Sequence, residues 1–221
     1  MRMSDLIGRE DLPENLKKWL EKNDLQKMKD GEWFSPGDEE VCQARIEPLI
    51  FRFNHSCPGT PEYDFLLSTI IKSQGHVRVV QPFYAEFGNI NAGSNLFIGN
   101  NCSFVDGGGI TIGDNVLIAP RVVIATATHP LDPKLRNAKI VKCSPVVIED
   151  NVWIGANATI LGGVTIGKNS VVGAGSVVTK DIPENSLALG SPCKVVKKLT
   201  VDKDLEELYA YLNGIDGERE L

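Results

Sequence analysis

Residues 112–118 read Ile-Gly-Asp-Asn-Val-Leu-Ile, and a similar unit, an aliphatic side chain followed by small or polar residues, returns at Ile154-Gly155-Ala156-Asn157 and Ile166-Gly167-Lys168-Asn169. An apolar side chain recurs at every sixth position around these units, apart from one two-residue step and one interruption. The recurring positions are Ile98, Phe104, Ile110, Ile112, Ile118, Ile124, Ile148, Ile154, Ile160, Ile166, Val172 and Val178. The interval from Ile124 to Ile148 is a multiple of six, so the repeat keeps its phase across the interruption.

A period of six fits neither the 3.6-residue period of a helix nor the two-residue period of an ordinary strand. It is typical of a parallel β-helix, in which each six-residue unit forms one flat face of a coil. The aliphatic side chain points inward and stacks on its equivalent in the next coil. A small residue follows it because a corner leaves little room for a side chain. Six positions in phase after the interruption argue against a chance β-rich sequence.

Composition narrows the function classes. The net charge of −6 argues against nonspecific nucleic-acid binding, which needs a basic face. No apolar run is long enough to span a membrane, and residues 1–10 are polar, so we expect neither a membrane segment nor a secretory signal. The five cysteines are odd in number and widely spaced, which indicates free thiols in a reducing cytoplasm and no zinc site.

The chain divides into three predicted parts. Residues 1–75 form helices over 12–30, 39–54 and 63–73, which we expect to cap the first coils. Residues 76–199 form the β-helix, interrupted by a loop over 125–145 that leaves and re-enters at one corner, and residues from 187 leave the repeat. Residues 200–221 supply a short terminal helix over 202–211 and a frayed tail.

His129 is the candidate for acid–base chemistry. It lies where the regular repeat gives way to the excursion, so a rigid coil would hold it beside an accessible loop. Imidazole titrates near neutral pH, and it can therefore accept a proton from a hydroxyl group. The alternative is a structural histidine that bonds a backbone carbonyl.

Residues 31–199 resemble the maltose and galactoside O-acetyltransferases of the hexapeptide-repeat acyltransferases. The matching motifs are Phe53-Asn54-His55-Ser56, residues 112–120, Thr128-His129-Pro130-Leu131-Asp132-Pro133, Asn151-Val152-Trp153-Ile154-Gly155 and residues 163–183. The resemblance implies a mainly β protein with a left-handed parallel β-helix, assembled as a homotrimer with active sites between subunits. It also implies acetyl-CoA as the donor and a small hydroxylated acceptor, such as a maltose-, glucose- or galactoside-like sugar.

The resemblance assigns roles to individual residues. His129 takes the position of the catalytic base, which implies direct transfer within a ternary complex. The residues that match the CoA side are Trp153, Ala156, Ala174, Thr179, Lys180, Lys194 and Lys197. Among them, the lysines would hold the phosphates and the alanines would border the pantetheine arm. Trp153 could instead be a wedge between subunits.

The acceptor side departs from the family. The candidate acceptor-binding residues are Asp38, Arg45, Glu86, Asn100, Asp106 and Leu117. Gly99 stands where similar enzymes carry an asparagine that contacts the sugar. The excursion also lacks the glutamate that normally comes shortly before its closing proline, Pro145.

Three other functions compete with a sugar acetyltransferase. A xenobiotic or antibiotic acetyltransferase would share the fold and the histidine. A non-catalytic scaffold would have no need for His129 together with Trp153 and the lysines. A β-helical carbonic anhydrase would need three histidines converging on a metal, whereas His55 and His76 precede the regular coils.

Overall fold

A computed structural model describes residues 14–200. The predicted terminal helix over 202–211 and the proposed start of the first helix at residues 11–13 lie outside this range. The described helices are α1 (Glu14–Glu21), α2 (Asp24–Lys29), α3 (Glu39–Gln43), α4 (Glu47–His55), α5 (Pro61–Ile70) and α6 (Pro133–Asn137). None of the helices within this range is both long and apolar enough to cross a lipid bilayer.

Three sheets form the faces of a parallel β-helix. The first contains β2 (Ile71–Ser73), β5 (Ile90–Ala92), β8 (Ile110–Ile112), β13 (Val146–Ile148) and β16 (Thr165–Ile166). The second contains β4 (Phe83–Ala85), β7 (Cys102–Val105), β10 (Val123–Ala125), β15 (Thr159–Leu161) and β18 (Val177–Val178). The third contains β3 (Val77–Val79), β6 (Leu96–Ile98), β9 (Leu117–Ile118), β14 (Trp153–Ile154), β17 (Val171–Val172), β19 (Ser186–Leu189) and, antiparallel at its end, β20 (Lys194–Lys198).

A fourth, antiparallel sheet lies outside the coils. It consists of β1 (Trp33–Phe34), β12 (Val141–Cys143) and β11 (Ala127–Thr128), in that order. Two of these strands belong to the excursion, which is therefore a hairpin with a short helix at its tip rather than an irregular loop.

The predicted inward positions are confirmed. Ile118 is in register with Ile98 on one side and Ile154 on the other, and Ile154 is in register with Val172. All twelve positions of the six-residue repeat are buried. Stacking of like side chains between coils thus builds one continuous apolar core along the β-helix.

The excursion preserves the phase of the repeat. Ile148 stacks on Ile112, 36 positions earlier, whereas Ile166 stacks on Ile148 after 18. The excursion leaves the coil after β10 and rejoins it at β13, so the stacking of the coils continues as if the chain were uninterrupted.

The small residue at a corner is required by the distance between coils. A Cβ on Gly155 would lie 2.5 Å from the backbone nitrogen of Ala174 in the next coil. The left-handed backbone conformation is adopted instead by nearby asparagines, including Asn115 and Asn169, whose φ angles are 55° and 60°. Asparagine tolerates this region better than most side chains.

The N-terminal segment differs from the prediction because only part of it caps the coils. Helices α4 and α5 contribute buried side chains to the main core. Residues from α2, β1 and α3 instead pack against the excursion in a second cluster, formed by Met28, Phe34, Val41, Val141 and Cys143.

Several predicted boundaries were also wrong. The helix over 12–30 breaks at Asn23, whose side-chain oxygen accepts the Gln26 N–H and caps α2. The helix over 39–54 is interrupted after α3, where the Ile46 N–H donates to the Glu86 carbonyl. Helix α5 ends at Ile70, and β2 already pairs with β5 of the next coil. At the other end, β19 still stacks on β17, so the repeat continues beyond residue 187.

Candidate active site

A pocket of about 230 Å³ lies where the N-terminal segment meets the root of the excursion. It brings together three of the predicted site residues, namely Arg45, Glu86 and His129. Apolar side chains form most of the remaining wall. The complete lining is Phe34, Pro36, Val41, Arg45, Glu86, Phe87, Val105, Ala127, His129, Val141 and Cys143.

His129 is oriented by a backbone carbonyl. It directly follows β11, and its Nδ1 lies 3.1 Å from the carbonyl oxygen of Ile140, the residue before β12. A carbonyl can only accept, so Nδ1 is the donor of this bond, and the neutral tautomer that makes it has its lone pair on Nε2. The side chain is exposed, and Nε2 is available to take a proton. The hydrogen bond to a backbone carbonyl, which the alternative of a structural histidine predicted, is thus present. The same bond leaves Nε2 oriented to act as a base.

Arg45 and Glu86 form an ion pair in the pocket wall. Nε of Arg45 lies 3.2 Å from Oε1 of Glu86, and the two side chains are 27% and 19% exposed. Burial raises the pKa of Glu86, with the nearby Arg45 cation acting in the opposite direction. The guanidinium also lies 5.9 Å from the ring centre of Phe87. The pair offers both a donor and an acceptor for hydroxyl groups of a ligand.

Asp106 supports the pocket from behind. The side chain is fully buried. One carboxylate oxygen accepts the backbone N–H groups of Glu86 and Phe87, and the other accepts that of Asn89, at 2.8–2.9 Å. Asp106 therefore fixes the turn that carries Glu86 and does not line the cavity itself.

The other predicted acceptor residues also lie outside the pocket lining. Asp38 caps α3 by accepting the Glu40 N–H. Leu117 is exposed on β9, on the third face of the β-helix. Asn100 is half-buried, and its carbonyl accepts the Arg121 N–H.

Three of the predicted CoA residues, Trp153, Ala156 and Ala174, occupy the third face and the corners that follow it. Trp153 is 52% exposed on β14, between Leu117 and Val171 on the flanking strands. Ala156 and Ala174 occupy equivalent positions in successive coils, and the Ala156 carbonyl accepts the Gly175 N–H.

The remaining CoA candidates lie near the C-terminal end of the β-helix. Thr179 and Lys180 follow β18, and Lys194 and Lys197 lie on β20. All four are exposed. None of the predicted CoA residues lines the pocket that contains His129.

Sequence reasoning missed the apolar wall of the pocket. Phe34 and Val141 lie on short strands without a visible period, and Cys143 was treated only as a free thiol. The thiol is free and buried, and burial raises its pKa to about 11. Within the part of the chain that the structure describes, no group of three or more histidine, cysteine, aspartate or glutamate side chains could hold a metal ion.

The chain is similar to proteins named as acetyltransferases. The model of a family described as hexapeptide repeat of succinyl-transferase matches residues 91–124 and 145–180, on either side of the excursion. A galactoside O-acetyltransferase from Lactococcus lactis is 41% identical over 181 residues, which are 79% of this chain and 87% of that protein. This chain belongs to the hexapeptide-repeat acetyltransferases.

Solved structures agree with this assignment. A maltose O-acetyltransferase from Clostridium difficile 630 is 42% identical to our acetyltransferase with a TM-score of 0.78, covering 81% of this chain and 99% of that one. A hexapeptide-repeat acetyltransferase from Vibrio cholerae, complexed with acetyl coenzyme A, is 40% identical with a TM-score of 0.75, covering 81% and 100%. The resemblance to galactoside and maltose O-acetyltransferases and the left-handed parallel β-helix are both confirmed.

Proposed function

We propose that this acetyltransferase moves the acetyl group of acetyl-CoA to a hydroxyl of a sugar, with His129 as the general base. The observation that carries the proposal is the bond from His129 Nδ1 to the Ile140 carbonyl. It leaves Nε2 as a proton acceptor at the edge of a pocket that also holds an ion pair suited to hydroxyl groups. The galactoside and maltose acetyltransferases among its relatives support a sugar as acceptor.

The reaction follows from these groups. Nε2 of His129 removes the proton of the acceptor hydroxyl as its oxygen attacks the thioester carbonyl. The carbon–sulfur bond then breaks, and the imidazolium returns the proton to the departing thiolate. General-base assistance of this kind contributes about 10²- to 10⁴-fold in rate.

A cysteine acyl-enzyme is disfavoured by the chemistry of the pocket thiol. Cys143 is buried, and its pKa of about 11 keeps it as a thiol at neutral pH. Since the thiolate is the nucleophilic form, direct transfer to the acceptor is the simpler route.

Arg45 and Glu86 are the proposed acceptor-binding pair. Their half-buried charges can each hydrogen-bond a sugar hydroxyl, and the apolar wall beside them suits the carbon face of a ring or an attached apolar group. Such contacts offer an alternative to the family asparagine that Gly99 replaces.

The donor side implies an assembly of copies. None of the proposed CoA residues lines the His129 pocket, and Trp153 and Leu117 expose apolar surface on the third face of the β-helix. A homotrimer would bring this face of one copy to the pocket of a neighbour, as closed rotational symmetry allows. Lys180, Lys194 and Lys197 would then supply cations for the CoA phosphates.

The deciding experiment measures thiol release from acetyl-CoA with glucosides, galactosides, maltose and hydroxylated aromatic compounds. We compare wild type, His129→Ala and the matched control His55→Ala. The control histidine makes the same type of bond, from Nδ1 to the Phe51 carbonyl at 2.8 Å, but lies on α4 outside the pocket.

We expect sugar-dependent release in wild type and His55→Ala, and a loss of about 10²-fold or more in His129→Ala. Calorimetry should give equal CoA affinity in all three proteins. Release only with non-sugar acceptors would overturn the sugar assignment, and full activity of His129→Ala would overturn the general base.

A further inference from the structure

Strand β12 of the excursion is held from outside the β-helix. Its inner neighbour is β11, with Ala127 opposite Cys143. Its outer neighbour is β1 of the N-terminal segment, with Phe34 opposite Val141. In this three-stranded sheet, β12 is the middle strand and β11 is one edge. The other edge, β1, comes from more than 90 positions earlier in the chain than the hairpin.

A small apolar core fastens the N-terminal segment to this hairpin. Phe34 is 2% exposed and packs with the buried side chains of Met28 and Val41 on its own side. Val141 and Cys143 supply the excursion side of the same cluster. This cluster is separate from the core of the coils, so it can loosen without opening the β-helix.

The coils hydrogen-bond the excursion at its root. The Ser144 N–H donates to the Thr126 carbonyl at 2.9 Å, and the Thr126 hydroxyl accepts the Gly108 N–H at 2.9 Å. Beyond this root, the outward edge of β12 is covered by β1.

The base and the carbonyl that orients it stand at the ends of the two hairpin strands. His129 directly follows β11, and Ile140 directly precedes β12. The 3.1 Å bond between them therefore depends on the register of β11 against β12. Any change that lets β12 slide or tilt changes the Nδ1–carbonyl distance.

We infer that the N-terminal segment over residues 24–43 positions the base, with Phe34 as the key positioning residue. By pairing β1 with β12 and filling the second cluster, it holds the Ile140 carbonyl against His129 and so selects the tautomer with a free Nε2. This inference rests on the proposed role of His129, and its test separates the two.

The test compares Phe34→Ala with the matched control Phe51→Ala. Phe51 belongs to the same N-terminal region, but it is 66% exposed on α4 and lies outside the second cluster. We expect kcat of Phe34→Ala to fall about 10- to 100-fold, because small displacements of a catalytic group have effects of this size. The KM for acetyl-CoA should stay within about twofold, and Phe51→Ala should match wild type in both.

The decisive readout is the tautomer of His129, measured from the ¹⁵N shifts of its ring in protein without acceptor. The chain has three histidines, so His55→Gln and His76→Gln variants assign the signals. We expect wild type to show one tautomer, protonated at Nδ1, and Phe34→Ala to show a mixture.

Two outcomes overturn the inference: an unchanged tautomer in Phe34→Ala, whatever its kcat, or an equal change in Phe51→Ala. If Phe34→Ala does not fold, Val41→Ala, a smaller deletion in the same cluster, is judged by the same criteria. The tautomer is measured without acceptor, so the result does not depend on acetyl transfer. A wild-type protein that transfers no acetyl group would refute the proposed function, whereas the tautomer measurement would still decide whether Phe34 positions His129.

Discussion

Replacing Ile110 by alanine tests how far stacked aliphatic side chains stabilise the β-helix. Ile110 is fully buried on β8, in register with Ile90 in the preceding coil and with Val146 in the following one. The change removes three carbon groups, which at about 0.8 kcal/mol each amounts to about 2.4 kcal/mol of lost transfer free energy. Both neighbours are anchored in hydrogen-bonded strands, so the cavity cannot close fully, and we expect a total loss of about 3–4 kcal/mol.

The assay is urea unfolding followed by circular dichroism, with Thr111→Ala as control. Thr111 is the next residue of the same strand, and its side chain is exposed on the outer face. We expect the unfolding midpoint to fall for Ile110→Ala with an unchanged m-value, and the free energy of unfolding of Thr111→Ala to stay within about 0.5 kcal/mol of wild type. A loss below about 1 kcal/mol for Ile110→Ala, or equal losses for the two variants, would refute the stacking argument.

Two further predictions concern the pocket and a corner. Burial raises the pKa of Glu86, so on acidification this side chain should take up a proton at a higher pH than an ordinary glutamate. Protonation favours the folded state, because the folded protein binds this proton more tightly than the unfolded chain does. The same protonation should raise the KM for the acceptor, because Arg45 loses its charged partner. In Glu86→Gln, this rise of the acceptor KM at low pH should be absent. If the dependence of KM on pH is the same as in wild type, Glu86 does not bind the acceptor. Asn169 has φ of 60°, accepts the side-chain N–H of Asn151 and donates to the side chain of Asn185. In thermal unfolding, Asn169→Ala should be less stable than wild type by about 1–2 kcal/mol. Asn169→Gly should lose less stability, because glycine tolerates the left-handed backbone conformation. Equal losses in the two variants would contradict this conformational argument.

The sequence predicts the coils well because their signal is local and repeated. Each inward side chain, such as Ile154, is specified by its own neighbours and by equivalents one coil away. The corners follow the same logic, since the close approach of backbones at Gly155 excludes larger side chains.

Features that depend on distant parts of the chain were not predicted. Strand β1 has only two residues, so it carries no period, and its partner β12 lies more than a hundred positions later. The pocket wall formed by Phe34 and Val141 appears only when these strands meet. The partner of His129 was not predicted either, because it is the backbone carbonyl of Ile140, and a backbone carbonyl has no signature in the sequence.

The excursion leaves and rejoins the coils without shifting their stacking, and this has an evolutionary consequence. Register in the β-helix is set by pairing between neighbouring coils, as in Ile148 on Ile112, and not by counting residues along the chain. Insertions or deletions at the tip, around α6, would therefore leave the scaffold unchanged. Under the proposed function, acceptor preference can diversify in such a loop while the proposed CoA face stays constant, so recombination of loops between relatives offers a direct route to new acetyl acceptors.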